Sequence, residues 1–354
     1  MSLRIAVDAR VVATDTRGIG RYERAVLRNL VCRDDVLLTL LLPEALPFLR
    51  RRALTRALGS TRFALARRVP RNADVVWHPA NGTFFPSPTP AVVTLHDAVP
   101  FRYPNDDPKA RAREQEPFTI SVGTAASFVA VSAFGKAEIH AVFGVPDERI
   151  DVIHHGVDER FTPGDPQPLP PGIRAGAYFL FVGDPIEPRK NFAMLYEAYR
   201  LAWPAGDGPR LVVAGTARSP RADVIATDRL GDDLDAGGSN ELLALYRGAL
   251  AVTVPSYHET FGMPVIEAMA CGAPVLASQG SCLPEIGGDA AQYVPPHDIQ
   301  AWSTALRTIA TDEAARARMR AAGLARAARF RWDASAQAHL DLLARAADAR
   351  RAPA

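Results

Sequence analysis

Short apolar runs recur along the chain, spaced so that one helix fits between each pair. "RIAVDA" (4–9), "VLLTLLL" (36–42), "DVVWH" (74–78), "AVVTLHD" (91–97) and "SFVAVS" (127–132) have the length and β-branched content of strands buried on both faces. The stretch "FTPGDPQPLPPG" (161–172) then places five Pro and two Gly in twelve residues, which marks it as the linker. Beyond it the rhythm restarts with "YFLFVGD" (178–184), "RLVVAG" (210–215), "LAVTVPS" (250–256), "PVLAS" (274–278) and "AAQYVPP" (290–296). Strands alternating with helical segments predict parallel sheets covered by helices on both faces. The expected fold class is therefore α/β, with two doubly wound parallel-sheet domains facing each other across a cleft. Their expected extents are 1–165 and 173–336, with an amphipathic last helix near 337–350 packing back on the first domain. In open sheets of this kind ligands bind outside the carboxyl ends of the strands, and Asp97, Asp184, Gly215 and Ser256 fall at those ends.

Composition narrows the class. At 354 residues two domains are the natural expectation, and a net charge of +2 lacks the basic excess that nucleic acid demands, so no nucleic-acid partner is expected. Lys occurs only at 109, 136 and 190 in a chain whose other basic residues are Arg, so each Lys stands out. Cys32, Cys271 and Cys282 form neither a disulfide framework nor a zinc pattern, which suits a reducing compartment. The start "MSLRIAVDAR" reads as a strand rather than a signal peptide, and no apolar run approaches the roughly 18 residues that span a bilayer. A cytoplasmic protein is expected, at most peripheral on the inner face of a membrane. The segment 45–68 bears on that, with seven Arg, no acid, and Leu and Phe between them. It fits a contact with an anionic membrane and equally a solvated helix.

The candidate chemistry concentrates in "PSYHETFGMPVIEAMACGAPVLAS" (255–278). Pro264 suits the first turn of a helix, whose free N–H groups and dipole attract an anion. Glu259 precedes that helix and Glu267 lies about one turn inside it. Carboxylates accept hydrogen bonds from vicinal diols while N–H groups hold phosphate oxygens, so the pair suits a nucleotide sugar. The alternative for each is an ordinary loop or helix-start charge.

The segment resembles the E-x7-E signature of the retaining glycosyltransferases of family four. "VSAFGKAEIHAVFGVPDERIDVIHHGVD" (131–158), "FVGDPIEPRKN" (181–191), "LLALYRGALAVTVPSYHETFG" (242–262) and "FRWDASA" (330–336) resemble that family in the same order, from about residue 4 to about 340. The resemblance implies the glycosyltransferase-B architecture of two Rossmann-like domains. It implies that Glu259 contacts the donor sugar, that Glu267 binds the donor ribose, and that backbone groups of Phe261, Gly262 and Met263 reach the sugar and diphosphate.

A departing nucleoside diphosphate gathers negative charge, and fixed cations aimed at it lower the barrier. Arg189 and Lys190 stand between a strand-ending turn and a helix, where the family's Arg-Lys pair meets the diphosphate. The His residues other than His96 show no metal-ligand spacing, so neither a metal nor any other cofactor is expected. Many family members carry Arg directly after the strand-ending glycine; here Asp184 follows Gly183, which removes one phosphate contact that Arg189 could replace. The form "GxxEPRKN" resembles the mannosyltransferase-like branch. "TRGIGRYERAVLRNL" (16–30) fails as a dinucleotide fingerprint because Glu23 occupies the third glycine position. It remains either a tight turn or a loop whose N–H groups approach phosphate, and the resemblance lays Gly18 and Gly20 over the donor diphosphate.

His96 ends a buried strand, a place where most histidines are core residues; the resemblance instead puts it in the reaction centre, with Asp97 orienting the loop or the acceptor. Trp77, Phe84 and Phe85 could stack on an acceptor sugar or fill the core. The function expected is a retaining, metal-independent transfer of a hexose, with mannose from GDP-mannose the best match, to a carbohydrate or lipid-linked acceptor. A sugar-nucleotide epimerase or phosphorylase of the same fold, or a silent nucleotide-sugar-binding scaffold, are the alternatives. The segment 228–243 is where a pocket for the donor base could form.

Overall fold

The computed structural model describes residues 2–15, 18–44, 46–166, 168–215, 219, 221–227 and 241–349. The chain divides into two compact units, one of Met1–Gly156 with Trp332–Ala354 and one of Val157–Arg331. The division falls after Gly156, ahead of the proline-rich stretch 161–172 where the sequence places it, and the return crossing falls before Trp332.

The first unit holds a seven-stranded sheet of β1 (Leu3–Asp8), β2 (Val36–Leu41), β3 (Phe63–Ala66), β4 (Val75–His78), β5 (Ala91–Leu95), β6 (Ser127–Ala130) and β7 (Ile150–Val152). Its strand order is β3-β2-β1-β4-β5-β6-β7, with every pairing parallel. β4 and β5 are buried along their whole length, as a parallel strand covered on both faces requires. The helix Trp332–Ala349 belongs to this unit and buries Leu340, Leu342, Leu343, Ala346 and Ala347 in the same core as Val26, Leu27 and Leu30 of the helix Gly18–Leu30.

The second unit holds six strands, β8 (Tyr178–Val182), β9 (Arg210–Ala214), β10 (Val224–Thr227), β11 (Ala251–Val254), β12 (Val275–Ser278) and β13 (Gln292–Val294). They are again all parallel, in the order β10-β9-β8-β11-β12-β13. Its core packs Phe179, Phe181, Leu211, Val213 and Leu276 against Phe192, Leu195 and Trp302.

Three strands fall outside the ten apolar runs read from the sequence: β3, β7 and β10. Each is an edge strand of three or four residues, at least two of them exposed or half-buried. The segment 45–68 is accordingly not one helix. It folds as a 3-10 turn Pro47–Arg50, a helix Arg51–Leu58 closed by Gly59 at φ 67°, and then β3; Ala45 lies outside the described residues.

Candidate functional site

In the second unit the sheet order reverses between β8 and β11, and a crevice outside the carboxyl ends of two such strands is the usual ligand position in an open α/β sheet. Gly183 leaves β8 at φ 143°, a conformation open to glycine, and donates its N–H to Ala214. The chain then makes the 3-10 turn Pro188–Lys190 and enters the helix Phe192–Ala202 through Asn191 in the left-handed region, φ 57°. The Asn191 amide donates to the carbonyls of Pro255 (3.0 Å) and Pro296 (2.8 Å), fixing this loop to the one that follows β11. The Tyr257 N–H adds a bond to the Arg189 carbonyl at 2.8 Å.

Those anchors bring Arg189 and Lys190 against Glu259. Lys190 Nζ lies 2.6 Å from Glu259 Oε1, Ser256 Oγ donates to the same oxygen at 2.8 Å, and Arg189 Nη1 lies 3.4 Å from Oε2. Arg189 also pairs with Glu187 through Nε and donates to the His258 carbonyl at 3.3 Å. Burial would push the Glu259 carboxyl upward, but the charges of Lys190 and Arg189 and the bonds from Lys190 and Ser256 hold it below its ordinary range. The result is a buried carboxylate that stays ionised because it is paired. About four lone-pair directions exist on a carboxylate, and these contacts use three.

Glu259 leads into the helix Met263–Ala270 through Gly262 at φ 78°, where a Cβ would come within 2.8 Å of Leu283 Cδ2. Phe261 turns its ring into the core, edge-on to Phe330. Glu267 is 2% exposed and accepts a bond from the Tyr246 hydroxyl at 2.8 Å, so it is no solvated helix-start charge. The sequence gives no hint of Tyr246, because its helix, Glu241–Gly248, meets Glu267 only in the folded unit. Asn191 and Glu187 stand in the family-like form 183–191, but the bonds they make are not legible there. Residues 228–240 of the expected base-pocket segment lie outside the described residues.

In the first unit His96 follows β5 and is buried, with Nε2 2.7 Å from the Pro79 carbonyl. A carbonyl can only accept, so Nε2 carries the hydrogen and Nδ1 the lone pair. Burial is the main reason the ring stays neutral, lowering its pKa to about 4 against a partly opposing bond to Pro79. Tyr22 packs edge-on to His96 at 4.7 Å between ring centroids, and His155 stacks on it at 5.5 Å. The same logic orders a longer chain. His339 Nδ1 lies 2.7 Å from the Ser335 carbonyl, so its Nε2 accepts from Tyr22 Oη at 2.6 Å. Tyr22 then accepts from Thr94 Oγ1 (2.9 Å), which accepts from Trp77 Nε1 (3.1 Å).

This corrects Trp77 as an acceptor platform: it is fully buried, and its indole N–H is spent on Thr94. Phe85 is likewise a core residue. Phe84 stays 37% exposed, with the Arg10 guanidinium 3.3 Å from its ring centroid. Asp97 accepts from the Val99 N–H at 3.1 Å and so shapes its own loop. Gly20 is also corrected as a donor to phosphate. Its N–H is directed at the Asp15 carboxylate at 3.3 Å, and a Cβ there would lie 1.8 Å from the Asp15 carbonyl oxygen. Gly18 is exposed at the helix start, while Thr16 and Arg17 lie outside the described residues.

The first sheet reverses its order between β1 and β4, and here too charged groups gather. Asp8 ends β1, is 1% exposed, and is clamped by Arg10 through Nε at 2.9 Å and Nη2 at 3.0 Å. Burial raises the Asp8 pKa, but His78 at the end of β4 and Arg10 outweigh it and leave the carboxyl below its ordinary value. Glu23 is fully buried with neither carboxyl oxygen hydrogen-bonded, and burial together with Asp8 pushes its pKa well up, so it is a neutral acid. Among the described residues no group of three His, Cys, Asp or Glu is arranged to hold a metal ion.

Two outcomes follow from these pairings. Lys190→Met strands the buried Glu259 charge and should destabilise the protein by about 3 kcal/mol, whereas adding Glu259→Gln should recover much of that; urea unfolding of the wild type, both single variants and the double measures the coupling. The second concerns acid. His96, His155 and His339 all have folded pKa values below the ordinary 6.5, so only the unfolded chain takes up their protons as pH falls. Their contribution is complete above about pH 6.5 and is lost on descent toward about pH 4. Glu23, raised instead, acts in the opposite sense above about pH 4.5, but one carboxyl opposes three imidazoles. The thermal midpoint should therefore fall between about pH 6.5 and 4.5, and Glu23→Gln should steepen the fall.

Comparison with known proteins bears on the family and the fold. Residues 7–161 match the model of the family described as Glycosyltransferase Family 4, and residues 172–326 that described as Glycosyl transferases group 1. The chain is 32% identical over 307 residues to O-antigen chain mannosyltransferase B of Escherichia coli, covering 81% of this chain and 79% of that protein. It is 32% identical over 272 residues to D-inositol 3-phosphate glycosyltransferase of Stackebrandtia nassauensis, covering 68% and 61%. Among solved structures, sucrose-phosphate synthase from Thermosynechococcus elongatus superposes with a TM-score of 0.68 at 18% identity, over 96% of this chain and 98% of that one. Anabaena HepE, solved in complex with UDP and glucose, gives 0.68 at 16% identity over 97% and 100%. The two all-parallel Rossmann-like units share the glycosyltransferase-B fold of these structures. With a relative at 32% identity over 81% of this chain and 79% of its own length, the chain belongs to the family-four glycosyltransferases, in their mannosyltransferase-like branch.

Proposed function

We propose that this glycosyltransferase moves mannose from GDP-mannose, with retention of configuration and without a metal ion, onto a carbohydrate or lipid-linked acceptor. The observation that carries the reading is the buried, ionised Glu259 beside Lys190 and Arg189 at the β8–β11 reversal. A mannosyl donor brings vicinal hydroxyls, which an ionised carboxylate accepts, and a diphosphate, which the two cations neutralise. As the glycosidic bond lengthens, negative charge grows on the departing diphosphate while the sugar becomes oxocarbenium-like. Lys190 and Arg189, already anchored by Asn191 and Tyr257, then gain attraction without reorganising. A retaining front-face path lets the diphosphate itself take the acceptor proton, which leaves no need for a separate base.

Glu267, steadied by Tyr246, is assigned to the donor ribose, and the backbone of Phe261, Gly262 and Met263, with Gly183, to the sugar and diphosphate. His96 is assigned to the reaction centre; with its hydrogen on Nε2 it offers Nδ1 as an acceptor to a sugar hydroxyl. Phe84 and the Asp8–Arg10 pair beneath it are the acceptor-side candidates in the first unit. The name of the Escherichia coli relative supports mannose as the transferred sugar, whereas the Anabaena neighbour was solved with UDP and glucose, so the base needs direct measurement.

Stabilisation by GDP, UDP, dTDP and ADP in thermal unfolding makes that measurement. A cognate nucleotide at about 100 times its Kd should add about 2.7 kcal/mol. With GDP-mannose as donor, Lys190→Ala and Glu259→Gln should each lower kcat/KM about 100-fold or more. Stabilisation by UDP alone would change the donor, and a lack of transfer or hydrolysis with every nucleotide sugar would sink the reading.

A further inference from the structure

Three exposed large apolar side chains fall within four residues of the first unit: Leu46, Phe48 and Leu49, at 51%, 60% and 70% exposure. They sit on and just before the 3-10 turn Pro47–Arg50, which leads directly into the helix Arg51–Leu58. That helix turns Leu54 and Leu58 into the core, so its own apolar stripe is already covered. What it leaves outside is basic. Arg52 and Arg56 are exposed, and Arg51 lies over the Phe63 ring at 5.1 Å. Glu44 is the nearest acid in sequence, and it is paired with Arg50 at 3.2 Å. From 46 to 68 the sequence contains no other acid.

An apolar tip bordered by unneutralised arginines has no use inside the unit, since none of these side chains completes its core. We propose that this face docks on an anionic lipid bilayer, with Leu46, Phe48 and Leu49 entering the headgroup–acyl boundary and Arg52 and Arg56 meeting lipid phosphates. The charge pattern selects the occupant. A second copy packed symmetrically through the same patch would set Arg51, Arg52 and Arg56 against their own images, whereas an anionic surface complements them. The apolar tip is short and its backbone is a single turn, which suits shallow interfacial seating; among the described residues no helix is long and apolar enough to cross a membrane. The surface uses none of the residues assigned to the donor, so its test does not depend on the mannosyl reading.

Co-sedimentation of the full chain with vesicles of phosphatidylcholine, with and without phosphatidylglycerol, tests it. Binding is expected only with phosphatidylglycerol, weakening as salt is raised. Each arginine near an anionic surface is worth about a fivefold change in partitioning, so Arg52→Gln with Arg56→Gln should weaken binding roughly 25-fold. Phe48→Ser with Leu49→Ser should weaken it about tenfold. Unchanged thermal midpoints in both double variants confirm that the fold is intact. Equal binding to neutral vesicles, or no binding to anionic ones, overturns the proposal. So does a concentration-dependent dimer of the wild-type chain that Phe48→Ser with Leu49→Ser abolishes, which would assign the face to a second copy.

Discussion

Because every strand in both sheets runs parallel to its neighbours, all the carboxyl ends of a sheet lie along one edge. A parallel connection must carry the chain back across the sheet face through a helix, so the residues free to do chemistry are those leaving each strand at that edge. Gly183, Ser256 and Glu259 in the second unit, and Asp8, His78 and His96 in the first, obey this constraint despite their separation in sequence. The reversal of strand order between β8 and β11, and again between β1 and β4, opens the place where two such loops diverge. Both places hold a buried carboxylate clamped by arginine or lysine.

The two clamps solve the same electrostatic problem. A carboxylate taken out of water tends to pick up a proton, and Glu23 does so because nothing is bonded to it. Glu259 and Asp8 remain ionised because a cation and further contacts outweigh burial. For Glu259 this means that a preset anion and two preset cations share one crevice, with their geometry fixed by Asn191 at a backbone angle that few residues tolerate. The imidazoles of the first unit run the other way. His96, His155 and His339 are neutral, with their hydrogens assigned by carbonyl partners or excluded by burial, so these three rings are stored without charge.

The last helix of the chain matters to that arrangement. His339 lies 317 positions from Tyr22 and yet ends the chain of bonds that begins at Trp77. Tyr22 is in turn the ring against which His96 packs. A distant helix therefore fixes the orientation of a residue beside the strand edge, through directional bonds rather than apolar packing alone.

Sequence by itself determined the α/β class, the ten strands with continuous apolar runs, and the local placement of Glu259, Glu267, Arg189, Lys190 and His96 at strand or helix ends. These are legible because a strand buried on both faces must be apolar throughout and because Gly and Pro punctuate the turns. Tertiary structure alone decided the rest. The edge strands β3, β7 and β10 are only three or four residues long, too short for their apolar positions to stand out from the neighbouring loops. Trp77 and Gly20 were ambiguous because an aromatic at a strand end and a glycine in a turn read alike whether they face a ligand or the protein. Contact with Thr94 and Asp15 resolved both toward the protein. The bonds of Tyr246 to Glu267 and of Asn191 to Pro255 and Pro296 left no trace, since a hydrogen bond between residues far apart in the chain is a property of folded distance, which a sequence does not print.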